Sequence, residues 1–129
     1  MPQHQTVSFS LNDMLFEYDE EKNRINIQKH GISFRNAARV LFDRDRIEFY
    51  DYDHSEDEDR YNTIGNAASG IITVIGDARQ QARFRDEILF VVYTERDVTA
   101  KDGRAAEVTR LISARPATNF ERGLYFGNL

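Results

Sequence analysis

Residues 15–41, LFEYDEEKNRINIQKHGISFRNAARVL, decide the fold class. Leu15 to Tyr18 reads as a short strand. Asp19 then suits a helix N-cap, because its carboxylate can accept the orphan amides of the next turn. Glu20 and Glu21 follow at the positive end of that helix. The helix is predicted to run to His30 and to stop at Gly31, the residue type best suited to a left-handed C′ position. Ser33 caps a second helix. Its Phe34, Ala37, Ala38 and Leu41 fall at i, i+3, i+4 and i+7 and form one apolar stripe.

Working outward, Arg46 to Tyr52, Arg60 to Ala67 and Ile71 to Ile75 read as strands from their β-branched and aromatic content. Ile88 to Glu95 is apolar on both faces, which predicts a central strand. Gly76 to Glu87 is polar and charged, Asp97 to Arg104 reads as a turn-rich loop, and Ala106 to Ala114 as a further strand. Pro116 and Thr118 open a last helix, in which Thr118 and Glu121 have capping-box spacing. Residues 1–14 read as a loose leader or an edge strand, ahead of one domain over residues 15–129. Consecutive strands with short connections imply antiparallel pairing. The expected fold is therefore α+β. An antiparallel sheet of four or five strands packs against two N-terminal helices and one C-terminal helix. A parallel sheet, or Phe34 pointing into water, would contradict this expectation.

At 129 residues the chain can bury a modest core as one domain. It has no cysteine, which removes disulfides, thiolate nucleophiles and Cys-ligated zinc, and fits a reducing cytoplasm. No basic start leads into an apolar run, and no apolar stretch is long enough to span a bilayer. The formal net charge of −5 is uneven. Residues 1–75 hold 8 Lys/Arg against 14 Asp/Glu, and residues 76–129 hold 9 against 8. A nucleic-acid binder usually carries a basic footprint, so any such role here must rest on a local cluster of arginines.

Three arginines sit at strand ends: Arg60, Arg96 and Arg115. Metal-free phosphoryl transfer needs a deprotonated nucleophile, cations on the phosphorane and a protonated leaving oxygen. Arginine suits the second task, because its planar fork donates two bonds to phosphate and stays charged. Taken alone, each arginine more often pairs with a surface acid. His54 is one of three histidines and has the chemistry of a proton shuttle, although an exposed turn histidine fits equally well. Glu58 is a second candidate base; period-two geometry would put it on the same face as Arg60. Lys29 and His30 meet the negative end of the first helix and, with Lys22, could also bind phosphate. Asp51, Asp53, Ser55 and Asp57 have the alternation of a calcium loop, but Glu56 replaces the glycine and Asn62 the glutamate that an EF-hand requires. No metal or cofactor is expected. There is no phosphate-binding glycine loop, zinc-protease helix or nucleophile elbow.

Five segments then occur in a fixed order: FEYD at 16–19, NIQKHGISF at 26–34, DHSEDEDRY at 53–61, VYTER at 92–96 and ISAR at 112–115. Over about residues 16–125 the chain resembles the BrnT family, ribonuclease toxins of type II toxin–antitoxin pairs. The resemblance implies a RelE-like fold and an endoribonuclease that leaves a 2′,3′-cyclic phosphate. Arg60, Arg96 and Arg115 occupy the family's ExR, TER and SAR positions, with His54 or Glu58 moving protons. It also implies a BrnA-like antitoxin, with DNA contacted only through that partner. The apolar residues Leu124, Tyr125, Phe126 and Leu129 fit an antitoxin anchor, a cover for the sheet or a homodimer contact. The alternative is a catalytically inactive BrnT-like module that keeps only the partner surface. Residues 72–86, with Arg79, Arg83 and Arg85, look like sequence added to the family pattern.

Overall fold

The computed structural model describes residues 4–68 and 87–127. The expected strand 71–75 and the added segment 72–86 lie outside the described residues. The chain orders as β1 (Thr6–Leu11), β2 (Met14–Asp19), α1 (Glu20–His30) and α2 (Phe34–Ala37), which runs into a 3-10 turn (Ala38–Phe42). Then come β3 (Ile47–Tyr50), a 3-10 turn (Tyr52–His54), β4 (Arg60–Asn66), β5 (Ile88–Thr99), β6 (Ala105–Pro116) and α3 (Asn119–Phe126).

The strands form one six-stranded sheet in the order β1-β2-β6-β5-β4-β3. The α+β class holds, but the sheet is mixed and not wholly antiparallel, and it has six strands, not four or five. β3 to β6 form the expected antiparallel meander, and β1 pairs antiparallel with β2. β6 then returns beside β2 in parallel, Leu15 opposite Val108 through Tyr18 opposite Leu111. Turn chemistry reveals pairing between sequence neighbours only; nothing local announces that long-range pair.

The segment read as a leader or edge strand contains β1. It alternates Val7, Phe9 and Leu11 toward the core with Thr6, Ser8 and Ser10. Asn12 and Asp13, with φ of 48° and 67°, make the tight hairpin into β2. Both residue types tolerate left-handed backbone. The first three residues of the loop expected at 97–104 are strand, since the β5–β6 ladder extends to Thr99 opposite Ala105, and the turn is confined to residues 100–104.

The helix signals correspond to the structure. Asp19 Oδ2 accepts from Lys22 N, and Gly31 closes α1 with a φ of 71°. Ser33 caps α2, and the stripe of Phe34, Ala37, Ala38 and Leu41 is buried against Phe16, Tyr18, Val91 and Leu111. α1 itself is unusual: it buries Asn23 and Asn26 and exposes Ile25 and Ile27. Asn23 Oδ1 accepts from Phe34 N, and Asn26 Nδ2 donates to Ile32 O. Asn26 Oδ1 accepts from Ala114 N at 3.3 Å. β2 ends its pairing at Leu111, so α1 takes over as the neighbour of the last residues of β6. The expected C-terminal helix is present with its full capping box, but none of its residues is buried.

Candidate active site

Residues directly opposite in a ladder share a sheet face. The register therefore lays three cross-strand rows on the face away from the core. Arg60, Thr94, Arg110 and Glu17 form the first row, Asn62, Val92 and Ser113 the second, and Ile64, Phe90 and Arg115 the third. Arg96 lies two residues beyond Thr94 and so shares the face. A β-bulge interrupts the second row: Val92 faces Ser113 but Tyr93 faces Leu111, which leaves Ile112 unpaired. Bulges re-aim side chains, and here Ile112 and Ser113 together line the same concavities.

Three adjoining depressions occupy this region. One of about 410 Å³ has a floor of Phe90, Val92 and Ile112 and a polar rim that includes His54, Arg60, Asn62 and Ser113. An acidic one of about 310 Å³ shares His54 and Arg60 with it and adds Glu56, Asp57 and Glu58. The third, of about 240 Å³, shares Ile112 and Ser113 and is walled by Lys22, Ile25, Lys29, His30 and Arg115. Seven of the eight predicted site residues thus line one continuous track across the bulge. Arg96 does not line it.

His54 ends its 3-10 turn with Nδ1 at 3.0 and 3.1 Å from the Asp51 carboxylate. A carboxylate only accepts, so Nδ1 carries the proton and Nε2 is left as the available nitrogen. Ser55 Oγ donates to Asp51 O at 2.6 Å and accepts from Arg60 N at 3.0 Å. That hydroxyl ties the acidic loop to the start of β4 and keeps His54 beside Arg60.

The arginines are not equivalent. Arg96 gives Nε and Nη2 to Glu17 at 2.9 and 2.7 Å, and Arg110 gives Nη1 to the same carboxylate at 2.7 Å. The Arg96 hydrogen bond, outweighing burial and helped by Arg110, holds Glu17 below the usual glutamate range. Arg115 is committed three times, to Glu121, to Pro116 O and to the face of Phe90. Arg60 has only Glu58, through Nη2 at 3.4 Å, and its Nε is buried with no partner among the described residues. Arg115 lies opposite Phe90 and Arg96 opposite Val108, six residues apart along β5. That separation is roughly 20 Å, well beyond one phosphate. The three motif arginines share a face but cannot share a phosphate.

Sequence reasoning missed Asp51 as the partner of His54, Asn62 in the groove, and Arg110 beside Glu17. Alternation along β4 and β6 would have put Asn62 on the face of Arg60, but the bulge hides the corresponding inference on β6. Tyr125 donates to Asp43 Oδ2 at 2.6 Å, which is a structural bond.

The model of the family described as the ribonuclease toxin BrnT of type II toxin–antitoxin systems matches residues 18–85, which is 68 of the 129 residues. The chain belongs to the BrnT family. No curated protein matches the chain. The matched residues hold Lys22, Lys29, His30, His54, Glu58 and Arg60, while Arg96 and Arg115 lie beyond them. BrnT proteins are toxins of two-component pairs, so membership implies an antitoxin partner. No helix among the described residues is long and apolar enough to cross a membrane.

Proposed function

We propose that this protein is a cytoplasmic endoribonuclease toxin that cuts RNA without a metal, through a 2′,3′-cyclic phosphate, and so arrests growth. The carrying observation is the pairing, in one groove, of a carboxylate-oriented histidine with an arginine that has donors to spare. Of His54 and Glu58, one removes the 2′-hydroxyl proton and the other protonates the 5′-oxygen. The 2′-O–P bond forms as the P–O5′ bond breaks. Arg60 stabilises the charge on the phosphoryl oxygens. Arg115, Lys22, Lys29 and His30 hold neighbouring backbone phosphates across the bulge. Arg96 is reassigned to holding β5 to β2 through Glu17.

The partner is a BrnA-like antitoxin, and the acidic N-terminal half suits a basic segment of it. Burial, and then the nearby Glu107, raise Glu95 above the usual glutamate range, a crowding of acids that a cationic partner would relieve.

The spread of Arg96 and Arg115, each locked to an acid, favours a second reading, the inactive binding module. Incubating purified protein with end-labelled RNA in EDTA decides between them. The ribonuclease reading expects cyclic-phosphate ends that disappear in His54→Ala and Arg60→Ala variants. Intact RNA from a protein that still binds its antitoxin supports the module.

A further inference from the structure

We infer that the open end of the core-side sheet face is where the antitoxin docks, and that it takes an arginine of that partner beside Tyr61, Glu95 and Glu107. The inference rests on the antitoxin reading above; the ribonuclease reading plays no part in it. Tyr50 lies opposite Tyr61, and Tyr61 opposite Tyr93, so the three share the face of Leu111 and the core. Glu95 stands two residues beyond Tyr93, and Glu107 two residues before Thr109, the residue opposite Glu95. Alternation puts both carboxylates on that same face, away from Arg60. The helices cover the face at Val91 and Leu111 and leave this end open. Glu95, Asp97 and Glu107 are exposed, and Tyr50 and Tyr61 are half-buried.

Two independent features identify the partner's chemistry. The first is aromatic. Tyr52, Tyr50, Tyr61 and Tyr93 form one row, with successive ring centres 4.7, 5.8 and 5.5 Å apart. Tyrosine is favoured at interfaces because it offers a large, rigid contact area at a low cost in entropy. The second is charge. Arg46 pairs with Glu48 at 2.9 Å, but no cation among the described residues pairs with Glu95 or Glu107. The Tyr61 hydroxyl has no hydrogen-bond partner among them either. Burial, and then the charges of Asp59 and Glu95, raise that hydroxyl above the usual tyrosine range. Rings beside crowded, uncompensated acids fit a cation on a long apolar stem. An arginine lays its stem along the rings and gives its fork to the carboxylates, with a further N–H for the Tyr61 hydroxyl. A lysine ammonium is a point charge without that fork, and the same acids repel a nucleic-acid backbone.

The test measures, by fluorescence anisotropy, how the whole protein binds its antitoxin, the labelled product of the adjoining gene. Glu95→Gln together with Glu107→Gln keeps both shapes and removes both charges. That double change should weaken binding on the order of tenfold or more and flatten its salt dependence. Its melting temperature should not fall, because the two acids repel each other in the free protein. Tyr61→Phe, which loses only the hydroxyl, should weaken binding severalfold. Glu56→Gln with Asp57→Asn removes the same charge from the depression beside His54 and should leave binding unchanged. Binding that survives the Glu95 and Glu107 changes, or that falls as far in the Glu56 and Asp57 pair, overturns the docking surface and keeps the antitoxin. A free protein that dimerises, and that the Glu95 and Glu107 changes split, gives the surface to a second copy and overturns the inference too. Wild-type protein that does not bind the adjoining gene's product removes the antitoxin reading and the surface with it.

Discussion

The Glu121 carboxylate takes both Nη atoms of Arg115, at 2.7 and 2.9 Å, while the same guanidinium lies 4.3 Å from the centre of the Phe90 ring. Glu121 also accepts from Thr118 N and closes the capping box of α3. One carboxylate thus holds a helix start and fills the fork that a phosphate would use. Glu121→Gln separates the two roles, since glutamine caps at this position but carries no charge. The variant should bind RNA more tightly at low salt, read by filter binding. Its stability should fall by about 1 kcal/mol or less, because the pair is partly solvated. Unchanged RNA affinity would remove Arg115 from the phosphate ligands.

Glu17 is 3% exposed and serves two arginines from the middle of the sheet. Its folded-state pKa is lowered from the ordinary 4.5, first by the Arg96 hydrogen bond. The resulting stabilisation is fully present above that ordinary value and is lost as pH falls through the lower folded one. Glu17→Gln should cost about 1–3 kcal/mol at pH 7, with Arg96 and Arg110 limiting the loss by reaching water. Urea melts at pH 7 and at pH 3 should show the gap between variant and wild type closing at the acid end. A gap that is equal at both values would mean that the charge of Glu17 contributes nothing.

Gly65 marks where the 3-10 turn after α2 comes closest to β4. A Cβ built there would stand 2.7 Å from Val40 Cγ1 and 3.2 Å from Val40 O. Val40 is fully buried and cannot swing aside. Gly65→Ala should therefore lose about 1–3 kcal/mol through overpacking, measurable by denaturant midpoint. A neutral result would mean that the turn can move off the strand.

The legible parts of this fold were those with local chemistry. Asp19, Gly31 and Ser33 announced both N-terminal helices because caps act within one turn. Phe34 to Leu41 announced the core face because periodicity is local too. The parallel seam between β2 and β6 was not legible, because no turn joins its strands. The Asn12-Asp13 turn was legible too: two residues that tolerate left-handed backbone, followed by alternating Met14, Phe16 and Tyr18. At the site, the motifs picked out seven residues that line one track. They failed at Arg96 for a physical reason. A strand of twelve residues carries Arg96 far from Phe90, and Glu17, 79 positions away in sequence, captures it.

Asp51 gives the last prediction. It accepts from His54 Nδ1 and is itself held in place through Ser55, which bonds its backbone oxygen. Asp51→Asn keeps the shape of the side chain and reverses one polarity. The new amide nitrogen can donate to Nδ1, which moves the ring proton to Nε2 and leaves that nitrogen unable to accept from a 2′-hydroxyl. Folding should hardly change, since His54 is on the surface. If His54 is the base, cleavage should fall roughly 10²-fold, the low end of general acid–base contributions. Asp51→Glu should recover part of it by restoring an acceptor. Single-turnover cleavage of a labelled RNA, beside melting curves of the same proteins, checks both halves. A rate that survives Asp51→Asn would assign the removal of the 2′-hydroxyl proton to Glu58 and leave His54 to protonate the 5′-oxygen.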